Sequence, residues 1–217
     1  MIISPKHKLM FFKTRKTAST STEVAIRNCM AASAGGFDPD ATCTEIVVRG
    51  KTEQVFPELN NEITKFKQHV GPRKSVLAEM TLEEHKSYFK FMNVRNPYER
   101  VVSCYYYRKK WSKSSVTADT TFEQFVSDMC SSRILTMQPL YPWAIRCDDF
   151  IRYENFDADL VRVLGKWFDT TDMNIPQIKT KHRPAPKKHY KEYYGTETYD
   201  LVSKRYDKDL AFFEYEY

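Results

Sequence analysis

The 217-residue sequence predicts an α/β fold, a single domain over residues 1–217 with a central parallel sheet flanked by helices. Three observations predict it. Aromatic and β-branched runs at 8–14, 44–49, 88–95 and 150–153 read as strands and alternate with capped segments that read as helices. Two of those strands, 8–14 and 88–95, pass directly into a helix start. The composition, 41% hydrophobic and 29% charged, is that of a chain with an ordinary core and excludes a disordered one.

Residues 8–14 (KLMFFKT) form the first strand, and Arg15, Lys16, Thr17, Ala18, Ser19, Thr20 and Ser21 form the loop after it. Thr20, with Glu23 three residues on, has the pattern of a capping box. The helix it opens carries Ala25, Cys29 and Ala32 on one stripe, and Gly35-Gly36 ends it. A turn at 37–41 leads to the strand 44–49. Residues 57–67 read as a short helix or irregular chain, and 68–72 as a turn. Segments 74–80 and 81–87 are helical, the second capped by Thr81 and Glu84. Strand 88–95 (YFKFMNVR) feeds a helix with Asn96 as N-cap, Pro97 at the first position and Glu99 at the third. Residues 111–119 are a polar loop. Thr120 and Glu123 cap a helix running to Cys130 that buries Phe122, Phe125, Val126 and Met129. Residues 131–146, with Pro139 and Pro142, are irregular. After strand 150–153, Glu154 caps a helix over 157–168 with Leu160, Val161, Leu164 and Trp167 inward. Tyr199, Val202, Tyr206 and Leu210 make a last helical stripe that reads as core.

The loop at 15–21 has the chemistry of a phosphate site. A helix N-terminus offers free N–H groups and the positive end of a dipole. Lys16 and Arg15 add full charges, and four hydroxyls add donors. It is not the G-x-x-x-x-G-K-[ST] loop of nucleoside-triphosphate proteins, because no glycine precedes Gly35. On spacing alone it reads equally as a basic turn with a threonine cap. Arg95 by itself reads as a surface arginine. Ser103 lies about 10 Å further along the helix axis, within the span of an arginine lying back over the helix. Ligands of parallel α/β sheets bind beyond the carboxyl ends of strands, where both segments sit.

KTASTS after an apolar strand resembles the 5′-phosphosulfate loop of sulfotransferases that use 3′-phosphoadenosine 5′-phosphosulfate (PAPS). Arg95 followed by Ser103 resembles their 3′-phosphate site, and KHYKEYYGTETYDLVSKRYDKDLAFFEYEY resembles their closing helices. The resemblance spans nearly the whole chain and is nearest to the Golgi-type carbohydrate (heparan and chondroitin) O-sulfotransferases. It implies the P-loop-like sulfotransferase fold. It assigns Arg15 to Ser21 to the 5′ end of the cofactor, with Lys16 catalytic, and Arg95 and Ser103 to the 3′-phosphate. It assigns the basic loop of Lys179, Thr180, Lys181 and Arg183 to the nucleotide, though Pro184-Ala185-Pro186 is extra here and a solvated charge run reads as well. A general base needs a pKa near the working pH, which favours histidine. The resemblance places His69 in that role; His182, in the basic loop, is the runner-up, and Glu154 at a strand end is another possible base that reads as structural. It also implies PAP as product, no metal, and an acceptor hydroxyl on a glycan or small molecule.

Composition narrows the rest. The net charge of +6 suits an anionic cofactor, but the cations are dispersed among 28 acids and no nucleic-acid signature occurs. No apolar run approaches about 18 residues, so no membrane span is expected. The apolar start is short and broken by Lys6, His7 and Lys8, unlike a signal peptide, and a cytoplasmic location is expected. Cys29, Cys43, Cys104, Cys130 and Cys147 form no C-x-x-C pair, which disfavours zinc and fits reduced thiols. Tyr105 to Tyr107, Trp111 and Tyr141 to Trp143 read as a sugar-stacking surface or as core. The competing classes are a nucleotide kinase or NTPase, separated by magnesium dependence, and a non-catalytic nucleotide- or polyanion-binding protein, separated by sulfate transfer. Oligomeric state has no signal in the sequence.

Overall fold

A computed structural model describes residues 2–4, 7–33, 64–65, 81–110, 115–131, 137–175 and 188–217. The expected strand at 44–49, the helix at 74–80, Cys43, Trp111, His69, His182 and the basic loop with Lys179, Thr180, Lys181 and Arg183 lie outside them. The described strands form one sheet, β1 (Ile2–Ser4), β2 (Leu9–Phe12), β3 (Thr64–Lys65), β4 (Phe89–Val94) and β5 (Asp149–Arg152), in the order β3-β1-β2-β4-β5. Strands β2, β4 and β5 are parallel, with Phe11 opposite Phe91 and Phe91 opposite Asp149. The edge departs from the expected parallel pattern. Strand β1 runs antiparallel to β2, and β3 antiparallel to β1. The connection from Ser4 to Leu9 is too short for a parallel crossover, so the chain can only return as a hairpin.

The residues group into two compact units, Met1–Val94 with Trp143–Ile178, and Arg95–Pro142 with Lys179–Tyr217. The first holds the sheet, α1 (Ser19–Ser33), α2 (Leu82–Ser87) and α6 (Phe156–Leu164). All four residues of β2 are buried, as expected of a central strand covered on both faces. Leu9, Phe11 and Phe91 of the sheet pack with Ala25, Ile26 and Met30 of α1 and Leu160, Val163 and Leu164 of α6. Two positions differ from the sequence reading. Ala32 of α1 is exposed. Val161 is 38% exposed while Val163 is fully buried, because α6 turns its 160–163–164 face to the sheet. Thr81 and Glu84 form the expected reciprocal cap of α2.

Helix α6 is tied to β5 through Asp149, whose Oδ2 accepts from Arg162 at 2.7 Å and Lys166 at 2.9 Å. Burial works to raise the Asp149 carboxyl, but the hydrogen bonds from Arg162, Lys166 and the Phe150 N–H outweigh it and hold the pKa below its ordinary value. A carboxylate lowered on folding stabilises above its unfolded pKa, and that stabilisation is lost as pH falls through the folded value. Asp149→Asn is therefore expected to cost about 0.5–1 kcal/mol at neutral pH, discounted for the solvent around Arg162. The difference from wild type should vanish in melts taken in strong acid.

The second unit is built from α3 (Pro97–Lys109), α4 (Phe122–Cys130), α7 (Thr196–Arg205) and α8 (Asp207–Phe213), with the first two residues of α5 (Tyr141–Ala144). Its core includes Val101, Val102, Tyr105, Phe125, Val126, Met129, Val202 and Tyr206. Tyr105 is thus core and Tyr106 packs against it. Thr121 with Gln124, not Thr120 with Glu123, forms the cap of α4. Thr120 instead closes the preceding turn by accepting from the Thr117 N–H at 2.9 Å. The segment expected to be irregular contains α5, whose start is held by Asp209. That carboxylate accepts from the N–H groups of Leu140 and Tyr141 at 2.8 Å each. The C-terminal stripe is core as expected but spans two helices, which meet at the fully buried Tyr206.

Candidate functional site

The loop between β2 and α1 leaves the sheet at the edge where β4 also ends, since Phe12 pairs with Met92 in parallel. Its backbone takes an uncommon path. Lys16 has φ 64° and Ala18 φ 61°, both in the left-handed region that non-glycine residues avoid. Positive φ at alternate residues turns N–H groups toward a common point, the geometry of an anion-binding concavity. The Ala18 carbonyl accepts from Ser21 N–H at 2.9 Å and Thr22 N–H at 3.3 Å, which starts α1. The strain at Ala18 gives a direct test. Ala18→Gly relieves the Cβ clash and is expected to raise stability by about 1 kcal/mol, read as a higher urea midpoint.

Side chains divide between surface and interior. Arg15 is exposed, and Lys16, Ala18 and Thr20 are half-buried. Thr17, Ser19 and Ser21 are buried. The Thr17 hydroxyl lies 2.7 Å from Thr14 Oγ1 and 2.8 Å from Ser19 Oγ, and Thr14 Oγ1 donates to the Asn93 carbonyl at 2.6 Å. The side chains of Thr17 and Ser19 therefore build the loop from within. The polar side chains at its surface are those of Arg15, Lys16 and Thr20. Glu23 does not cap α1. It is 2% exposed and ion-paired with the buried Lys13, because the helix begins at Ser19, two residues earlier than a Thr20 cap implies, and turns position 23 toward the end of β2.

Arg95 follows β4 and is 8% exposed at its side chain, with Nη2 2.8 Å from Glu99 Oε1. Asn96 caps α3 as expected, accepting from Tyr98 N–H at 3.0 Å. Its Nδ2 donates to the Glu216 carbonyl at 2.9 Å, so the C-terminal residues brace this cap. Tyr98 stacks on Tyr199 with ring centroids 5.6 Å apart. Burial pushes its hydroxyl up to about 12, partly offset by the hydrogen bond with Ser203. Ser103 is half-buried in the second turn of α3.

Among the described histidines, His7 Nδ1 lies 2.9 Å from Ser4 Oγ, and His189 caps the short turn Tyr190–Tyr193. Glu154 is exposed, and Asn155 rather than Glu154 holds the N-cap position of α6. Burial pushes the thiol of Cys29 up to about 11 and that of Cys147 to about 12, so neither is a nucleophile near neutral pH. Among the described residues, no group of three or more His, Cys, Asp or Glu is placed to hold a metal, and no helix is long and apolar enough to cross a membrane. The sequence reading missed Lys13, Thr14 and Asn93. The signal was present in one case, for an asparagine inside the buried run FKFMNV is out of character for such a strand.

The three central strands are parallel, and the loop with positive φ at Lys16 and Ala18 leaves the carboxyl end of one of them, which is where the ligands of α/β sheets bind. The sequence matches the sulfotransferase family over residues 1–216, and the chain belongs to that family. No curated protein matches the sequence. Among solved structures, mouse sulfotransferase SULT7A1 complexed with PAP is similar in fold, with a TM-score of 0.57 at 13% identity. The alignment covers 99% of this chain and 95% of that one.

Proposed function

We propose that this protein moves the sulfuryl group of PAPS to an acceptor hydroxyl, releasing PAP, and that the acceptor is a carbohydrate. The observation that carries the reading is the loop with positive φ at Lys16 and Ala18, beside the end of β4, in a chain of the sulfotransferase family. PAPS supplies an activated sulfuryl group on its 5′-phosphate. The N–H groups of residues 15–20, with the side chains of Arg15, Lys16 and Thr20, hold that end. Arg95 and Ser103 hold the 3′-phosphate, and Lys179, Thr180, Lys181 and Arg183 close over the nucleotide. The new O–S bond forms as the bond from sulfur to the 5′-phosphate oxygen breaks. His69 takes the acceptor proton, and Lys16 neutralises the charge gathering on the sulfuryl oxygens and the leaving phosphate. Residues 1–217 act as one catalytic domain, without metal and in the cytoplasm.

Calorimetric titration with PAP in the absence of magnesium, with ATP as control, tests the cofactor. Micromolar PAP binding with little ATP binding is the expected result. Absence of PAP binding would overturn the reading and favour a non-catalytic polyanion-binding protein, and a preference for magnesium-ATP would overturn it in favour of a kinase. His69→Ala is expected to lose about 10²–10⁴-fold in rate with PAP affinity unchanged. A parallel loss of affinity would make His69 a binding residue instead.

A further inference from the structure

The hydroxyl protons of the loop run in one direction. A hydroxyl has a single proton to give, and a carbonyl only accepts. Thr14 gives its proton to the Asn93 carbonyl at 2.6 Å. At the 2.7 Å contact between Thr14 and Thr17, Thr17 must then donate. At the 2.8 Å contact between Thr17 and Ser19, Ser19 must donate in turn. Ser19 Oγ accepts the Thr14 N–H at 3.2 Å, which closes the loop on itself.

The chain of donors ends on Asn93, and the same residue reaches the other end of the segment. Its Nδ2 donates to Thr22 Oγ1 in the first turns of α1 at 2.9 Å. Residues 14 and 22, on either side of the anion-cupping turn, are thus both fastened to one position of β4. The network is interior, with Thr17, Thr22 and Asn93 fully buried and Thr14 and Ser19 nearly so. Asn93 Oδ1 is buried with no hydrogen-bond partner among the described residues. An unmatched buried acceptor costs about 1–3 kcal/mol. An apolar residue at this position would escape that cost but would also lose the bond to Thr22, so what the asparagine side chain supplies is the fastening of α1.

We propose that Asn93 and Thr14 are positioning residues that hold the backbone of residues 14–22, and with it Lys16, in the shape that receives an anion. The identity of that anion, the 5′-phosphosulfate end of PAPS, rests on the function proposed above. The fastening itself does not.

The test compares Thr14→Val and Asn93→Leu with the conservative Thr14→Ser. Val163→Ala, in the core under α6, serves as a control that lowers stability at a distance. The first readout is amide hydrogen exchange of residues 14–22 without nucleotide, and the second is PAP affinity by calorimetry. Thr14→Val and Asn93→Leu are expected to speed exchange and weaken PAP about tenfold each, while Thr14→Ser stays within about twofold of wild type. Val163→Ala should melt earlier with exchange in 14–22 and PAP affinity as in wild type. If Thr14→Val exchanges and binds like wild type, or no differently from Val163→Ala, the proposal is overturned. Should wild type itself not bind PAP, the cofactor reading fails and the exchange data alone decide the positioning role. If Asn93→Leu does not fold, the two Thr14 variants decide.

Discussion

Lys16→Ala is expected to lower kcat by about 10²–10³-fold while weakening PAP by no more than about tenfold. The asymmetry follows from where charge appears. PAP lacks the sulfuryl group, so an ammonium aimed at that group contributes little to product binding. During transfer, negative charge collects on the sulfuryl oxygens and on the departing 5′-phosphate oxygen, and a fixed cation there acts mainly on the transition state. The loop supports this role, because Lys16 is half-buried and its φ of 64° is set by the turn that carries the N–H groups. Buried Lys13 cannot substitute, being ion-paired with Glu23. Lys16→Arg keeps the charge but moves it on a longer, planar group, and should recover only part of the rate. Single-turnover kinetics with a chosen acceptor, beside PAP titration, separate the two effects. Equal losses in rate and PAP affinity would make Lys16 a binding residue.

Arg95→Ala is expected to do the opposite, raising the PAP dissociation constant by about 10–100-fold, with a smaller effect on the chemical step at saturation. Arg95 is 8% exposed and already held by Glu99 at 2.8 Å, so its guanidinium is oriented before any phosphate arrives. A pre-oriented fork loses little entropy on binding, and a charge-assisted contact in a desiccated setting is among the stronger polar interactions. Removing it also leaves Glu99 without that partner, which adds repulsion toward a 3′-phosphate. The sharper control is adenosine 5′-phosphosulfate, which lacks the 3′-phosphate. The variant should bind it as wild type does. Weakening of both nucleotides to the same degree would remove Arg95 from the 3′-phosphate site and place its effect in folding of the α3 cap.

Much of this molecule is written locally. The reciprocal cap of Thr81 and Glu84, the Asn96-Pro97 helix start and the strand expected over 88–95 depend on neighbours within four positions, and the structure shows both caps and a strand over 89–94. Errors arose where two local solutions compete. Thr120 and Thr121 each precede an acid or amide by three residues, and packing of Phe122 and Phe125 into the core selects Thr121 as the cap. Val161 and Val163 are equally apolar, and the rotation of α6 on the sheet decides which is buried. Glu23 has the spacing of a capping residue, but a buried lysine across the turn claims it.

By itself, the sequence determined the α/β alternation, the loop of Lys16 and the helix start after Arg95, because each is a short-range pattern of apolar period, charge and cap. Only the tertiary structure decided the antiparallel edge, the left-handed turns at Lys16 and Ala18, and the fastening of Thr14 to Asn93 across 79 residues. Those depend on which strand lies beside which. A hydrogen-bond donor carries no mark in the sequence of the distant acceptor that the fold will bring to it.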